Sequence, residues 1–336
     1  MPVLHALKLA VAVVLVLAAV LAPVAADEFR WQVDEERGEA DLSFGAQPVV
    51  RYMFAYDTST PARRAETFKP YHHVFGPGTG ALITKGIGGL YTHHRGLFVG
   101  WNDIRFDGNR VDTWHGRAAS QRHVRFVERK ADANSGTMTA EIHWLDSQGE
   151  PFLAETRTLT ASKILNPPWT SISPRIAGPG YAWRIDWSTK LESRRGQITL
   201  GGDRQHAGFQ FRAAQAVAEA NAARYIRPAG FPQQPEAFQV GDAGNPPKHI
   251  DLGWLAMTYE LEGKRYTVEY FEAPGMPKPS LYSERPYGRF GAFFKAELDE
   301  DRPLEMRYRL IVSSGAAPLQ EEVAKRYSRF ASETAE

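Results

Sequence analysis

Apolar and polar residues exchange places at every step over long stretches of this chain, and glycine or proline repeatedly interrupts the pattern. Met138, Ala140, Ile142 and Trp144 share one face of such a stretch, Asp146-Ser147-Gln148-Gly149 turns it, and Phe152 to Leu159 run back. Tyr181, Trp183, Ile185 and Trp187 alternate with Ala182, Arg184, Asp186 and Ser188. The same style recurs in Phe29 to Val33, in Ala40 to Phe44 and in Leu255 to Phe271 around the turn Glu262-Gly263-Lys264. A period of two is the signature of a strand with one buried face. Alternation, rather than continuous apolar runs, marks antiparallel sheets with one wet face. No strand–helix–strand spacing occurs, so a doubly wound parallel sheet is excluded. The expectation is an all-β fold, a large antiparallel β-sandwich over residues 27–316. A single helix and tail should follow over 317–336, with Leu319, Val323, Tyr327 and Phe330 on one side and Glu321 and Glu322 in the first turn.

Composition narrows the setting. With 43% hydrophobic residues in 336, the chain can bury a substantial core. The formal net charge is +1, so no global field recruits nucleic acid or an anionic membrane. The start carries Lys8, an apolar run from Leu9 to Ala22 and small residues up to Ala26. That is the pattern of a secretory signal over residues 1–26, cut before Asp27, and it predicts a periplasmic or extracellular protein without membrane insertion afterwards. Cysteine is absent, which removes disulfides and thiolate chemistry.

Imidazoles and guanidiniums gather at strand ends. His72-His73 precedes a glycine-rich turn, and Tyr91-Thr92-His93-His94-Arg95-Gly96 runs into the apolar Leu97-Phe98-Val99. Asp112-Thr113-Trp114-His115 follows, and a loop carries Asp203 and His206. Neutral imidazole suits proton transfer near neutral pH. His73, His93, His94, His115, Asp203 and His206 are therefore the candidate catalytic residues. Neighbours on a strand point to opposite faces, so one histidine of each pair should reach a common site unless the pair lies on a turn. Arg95, Arg289 and Tyr287 are candidate substrate anchors, and Trp114 a candidate stacking ring beside His115. His123 and His143 fall on polar strand faces and should be solvated. The polar stretch from Asp57 to Lys69 reads as a surface loop, and Pro228 to Pro247 as a long excursion or lid. Enough donors exist for a divalent metal, yet no HExxH or comparable ligand spacing occurs, and phosphate-loop, dinucleotide and GxSxG motifs are absent.

Taken in order, Lys69-Pro70-Tyr71-His72-His73, His93-His94-Arg95-Gly96-Leu97, Asp112-Thr113-Trp114-His115, His206 to Arg212, and Tyr287-Gly288-Arg289-Phe290-Gly291 resemble an exported bacterial family catalogued as "methane oxygenase PmoA". The resemblance runs from about Phe29 to about Val312. One departure is Tyr91-Thr92, where the family commonly has an acidic residue and a histidine. A methane-oxidising membrane subunit would need several apolar spans, and none follows Ala26, so the label does not describe the activity. The resemblance implies a sandwich similar to the galactose mutarotase-like supersandwich. It points to a carbohydrate or other small polar substrate. Three functions follow: a carbohydrate-active enzyme using histidine acid–base chemistry (epimerase, lyase or hydrolase) in a concave groove, a non-catalytic glycan-binding module, or a metal-dependent enzyme with a histidine-rich site.

Overall fold

Alternation becomes sheet along most of the chain. The computed structural model describes residues 27–165, 179–231 and 249–334. The expected signal segment, and nearly all of the expected lid between Pro228 and Pro247, lie outside these residues. In chain order the elements are β1 (Phe29–Asp34), β2 (Glu39–Phe44), β3 (Gln47–Met53), α1 (Pro61–Thr67), β4 (Tyr71–Val74), β5 (Leu97–Trp101), β6 (Asp103–Phe106) and β7 (Asn109–Val111). Then come β8 (Ala119–Ala131), β9 (Ser135–Asp146), β10 (Pro151–Leu165), β11 (Tyr181–Ser193), β12 (Ile198–Gly201), β13 (Ala207–Arg212), α2 (Gln215–Ala220) and β14 (Arg224–Ile226). The last are β15 (Trp254–Leu261), β16 (Lys264–Glu272), β17 (Leu281–Arg285), β18 (Arg289–Phe293), β19 (Ala296–Leu298), β20 (Leu304–Ser314) and α3 (Gln320–Glu333).

Among the described residues the strands form two eight-stranded sheets and a small third one. The first has the order β1-β2-β3-β4-β5-β13-β18-β17, the second β14-β15-β16-β20-β11-β10-β9-β8, and the third β19-β12-β6-β7. The named strand pairings are antiparallel, as the alternation requires. The large sheets pack through aromatic rings. Trp187 of β11 stacks on Phe209 of β13 at 4.2 Å between centroids, and Tyr308 of β20 lies 4.7 Å from the same Phe209. Each such ring contributes roughly 1.5–3 kcal/mol by leaving water.

The sheet's pleat also decides where a site can form. On β5, Leu97, Val99 and Trp101 enter the main core while Phe98 belongs to a separate small cluster with Tyr71 and Trp114. On β13, Phe209 and Phe211 face the core, which puts Gln210 and Arg212 on the other side. On β18, Phe290 and Ala292 face the core, which puts Arg289 and Gly291 opposite. The outer face of the first sheet is thus a polar floor, roofed by α1 and the loops after β4, β7, β12 and β17.

Three local expectations change. Asp57 to Lys69 holds α1 rather than loop throughout, because Thr60 caps it by accepting from the Arg63 amide and Pro61 supplies the preset first-turn φ. α3 buries Val323 and Phe330, whereas Leu319 sits before its first turn and is 55% exposed. His123 is half-buried against Phe126 and Phe54 rather than solvated, and burial pushes its pKa down to about 4. Among the described residues no helix is long and apolar enough to cross a membrane.

Candidate functional site

Strand β4 meets β5 only at His72 and Leu97, so the chain leaves the sheet after Val74 and returns through Tyr91 to Gly96. Gly96 must be glycine there, because a Cβ would lie 2.1 Å from the His72 carbonyl oxygen. Ahead of it Tyr91 adopts φ 56°, and the His94 amide donates to the Tyr91 carbonyl at 2.8 Å. His93 and His94 therefore lie on a turn, and their rings meet at 4.3 Å. The expectation that strand geometry would send them to opposite faces does not hold. It does hold for the other pair. His72 stacks on Tyr52 at 4.8 Å on the core side, while His73 faces outward and pairs with Thr84 Oγ1 at 3.0 Å.

Two further histidines reach His93 from separate loops. The His115 ring lies 4.5 Å from His93 and 5.1 Å from His206, and His206 lies 6.4 Å from His93. His115 and His206 are built alike. Asp112 Oδ2 accepts from His115 Nδ1 at 2.7 Å while its Oδ1 accepts the His115 amide at 2.8 Å. Asp203 Oδ1 accepts from His206 Nδ1 at 3.0 Å and from the His206 amide at 3.1 Å. Each is an aspartate turn closing on the histidine three residues later. Asn102 steadies the second turn by donating to Asp203 Oδ2 at 2.8 Å. Glycine at position 100 brings the first turn onto the sheet, since a Cβ would come within 3.2 Å of Thr113 Oγ1.

The expected residues divide as follows. His93, His94, His115 and His206 form one ring cluster, with Asp203 behind His206. His73 does not join it; its neighbours are Tyr71 and Thr84. Trp114 is fully buried, packed 4.7 Å from Phe98 with its carbonyl taking the Lys69 ammonium at 2.8 Å, so it is a floor and offers no face for stacking. Arg95 is 1% exposed and donates to the carbonyls of Thr92, His94 and Ala65. Arg289 is equally buried and ties Gln205 of the His206 loop to Ser283 and the Tyr287 hydroxyl. Tyr287 is half-buried and lies 4.7 Å from Tyr91 and 6.1 Å from His94. Sequence reasoning missed Asp112, although its spacing to His115 repeats that of Asp203 to His206. It also missed Lys69 and Arg212, which β4 and β13 bring under the cluster.

The electrostatics keep the central imidazoles neutral. Burial first, then Lys69, His115, His206 and Arg95, push the His93 pKa down to about 2. His94 is held well below the ordinary value by burial and then by His93, Arg289, Arg212 and Lys69. Asp203 lies well below the usual carboxylate range because the hydrogen bonds of His206 and Asn102 outweigh burial. With Nδ1–H given to a carboxylate, His115 and His206 each keep a lone pair at Nε2, and neither Nε2 has a protein partner among the described residues. A cavity of about 310 Å³ opens beside His93 and His115, lined also by Ala65, Phe68, Ile87 and Thr92, and His206 is not among its lining residues. Among the described residues, no group of three or more histidine, aspartate or glutamate side chains is arranged so that it could hold a metal ion. The imidazoles meet ring against ring.

The chain belongs to the family of unknown function DUF6807, whose model matches residues 39–328. That description carries no activity, and the methane-oxygenase label has no support in it. No curated protein sequence matches the chain. Similar solved structures include "Crystal Structure of Heparinase III" at 8% identity and a TM-score of 0.33, covering 84% of this chain and 36% of that one. They also include "Putative kojibiose phosphorylase from human microbiome" at 9% identity and a TM-score of 0.29, covering 92% of this chain and 35% of that one. The chain thus spans about a third of the length of these structures, and the TM-scores are too low to carry chemistry across.

Proposed function

We propose that the sandwich, residues 27–316, is an exported enzyme acting in the periplasm or outside the cell on a carbohydrate or similar small polar substrate by histidine acid–base chemistry. One observation carries this reading. Two Asp–His turns from separate loops present their imidazoles 5.1 Å apart, with His93 4.5 Å from the first of them. Each carboxylate fixes the tautomer and orientation of its ring, and it stabilises the imidazolium that forms when Nε2 takes a proton. One histidine can then accept a proton from substrate while the other, once protonated, returns one. Epimerisation, elimination and hydrolysis all use such a pair, which typically contributes roughly 10²–10⁴-fold in rate. The cavity volume matches the lower end of small-molecule sites. A stacking module has less support, since Trp114 is buried. Metal chemistry has less support too, since the rings are not disposed around a common point.

The test is turnover of a panel of oligosaccharides by the mature protein and by His115→Ala and His206→Ala variants. Circular dichroism would check that each variant folds. Each variant should lose roughly 100-fold or more in kcat, and EDTA should leave the native rate unchanged. A double variant that retains full activity would sink the proposal. Loss of activity in EDTA, restored by a divalent cation, would move it to metal chemistry.

A further inference from the structure

The cations around the histidine cluster lack what buried cations elsewhere in this fold have. Away from the site, two fully buried arginines are paired with carboxylates. Arg157 holds Glu155 at 2.7 Å, and Arg227 holds Glu284 at 2.8 Å. Leaving such a charge unpaired in a protein interior is strongly unfavourable, so pairing is the rule. Beside the histidines no carboxylate answers the cations; burial pushes the Lys69 ammonium well below its ordinary pKa and Lys85 down to about 8, which leaves the arginines as the fixed charges. Lys69, Lys85, Arg95, Arg212 and Arg289 are all 2% exposed or less, and none forms a salt bridge among the described residues. Their hydrogen bonds go to neutral groups only. Lys69 donates to the Trp114 carbonyl, Lys85 to the carbonyls of Gly86 and Gly88, and Arg95 to three backbone carbonyls. Arg289 donates to a carbonyl, an amide and two hydroxyls. The nearby carboxylates are committed: Asp112 and Asp203 to their histidines, Glu66 to Arg63 at 2.7 Å.

Arg212 is the most specific of the five. Its Nη1 serves the carbonyls of Ala213, Tyr287 and Gly288, while Nε and Nη2 have no partner among the described residues. Those two atoms form one edge of the guanidinium, the edge that donates two parallel hydrogen bonds to a planar carboxylate. The group lies 5.1 Å from the Tyr287 ring, which itself neighbours His94 and Tyr91. Tyr91 is 46% exposed, so this side of the site borders solvent.

We infer that the substrate bears a carboxylate, as a uronic acid does, and that this group supplies the anion the buried arginines lack, with Arg212 as its bidentate partner. The inference rests on the reading of the site as a carbohydrate enzyme and names the class of sugar. A neutral sugar would leave the cations unpaired in the complex as in the free protein. A sulfate or phosphate would also present two oxygens to this edge, and the sulfated probe below separates it from a carboxylate.

Calorimetry on the mature His115→Ala variant, in which turnover does not interfere, tests this with galacturonate trimer, its methyl ester and galactose trimer. The uronate should bind roughly 10-fold or more tighter than either neutral probe, and its affinity should fall as sodium chloride rises. Adding Arg212→Gln should abolish the preference. Adding Arg212→Lys, which keeps charge without the fork, should restore only part of it. Equal binding of acid and ester overturns the inference, and needs no Arg212 variant to fold. A sulfated galactose trimer that binds as tightly as the uronate overturns the carboxylate assignment. The two readings fail separately. Fully active histidine variants refute acid–base catalysis while leaving a uronate preference standing, and absence of the preference with inactive histidine variants refutes only the present inference.

Discussion

Lowering the pH from 7.5 to 5.5 should destabilise the folded chain by about 4 kcal/mol through three buried histidines. His72, His73 and His94 are 0%, 6% and 2% exposed. Burial is the first cause in each case. It pushes His73 down to about 4 and holds His72 and His94 well below the ordinary value. The unfolded chain takes up protons near 6.5 while the folded chain refuses them, so stability falls as pH drops below 6.5. One unit below that value each such histidine costs about 1.4 kcal/mol. Buried Glu269 and Glu272, whose pKa values burial raises, act in the opposite sense, since their contribution is lost as pH rises. A substitution isolates the histidine part. Among the described residues neither ring nitrogen of His72 has a hydrogen-bond partner, and the ring stacks on Tyr52, so phenylalanine can take its place without losing a bond. Urea denaturation of the native chain and of His72→Phe at pH 7.5, 6.5 and 5.5 should show the variant losing about 1.4 kcal/mol less across the range. Identical pH dependence in the two proteins would refute the argument.

Asp112→Asn keeps the shape of the first turn but removes the acceptor that fixes the His115 tautomer. kcat should fall by roughly 10²–10⁴ with little change in KM, read from steady-state rates, and an unchanged kcat would remove Asp112 from the mechanism. Gly96→Ala would drive a methyl into the His72 carbonyl, at 2.1 Å. Thermal unfolding should report a loss of about 1–3 kcal/mol, and an unaltered midpoint would mean that β4 and β5 can part without cost.

The sheets were legible because one face of each strand had to be apolar, and Met138 to Trp144 or Trp183 to Trp187 admit no other reading. The site was legible in residue type but not in arrangement. Strand logic separates His93 from His94, yet Tyr91 enters the left-handed region and turns the chain, a choice that no periodicity records. Trp114 looked available beside His115 because nothing local reveals that the turn carrying it is pressed onto the outer face of β5. Helix α1 was hidden by its arginines, although Thr60-Pro61 is a start signal for a helix. Asp112 could have been found, since two aspartates each stand three residues before a histidine. Arg212 could also have been found, as the outward member of the alternation that puts Phe209 and Phe211 in the core.

That alternation ties stability to chemistry. A slip of one residue in β13 would exchange Phe211 for Arg212 and Phe209 for Gln210, placing charge in the core and phenyl rings under the histidines at once. The core therefore enforces the register that holds the site. Arg289 extends the constraint from sheet to loop, because β18 fixes its backbone opposite Arg212 while its guanidinium grips Gln205, the residue before His206. On the other side Lys69, two residues ahead of β4, grips Trp114, the residue before His115. Each Asp–His turn is thus anchored by a buried cation at the position just ahead of its histidine. The charges that the fold leaves unpaired are, for these two residues, the same ones that set the distance between the imidazoles. An anion arriving at the site would act on the holders of the histidines as well as on the histidines themselves.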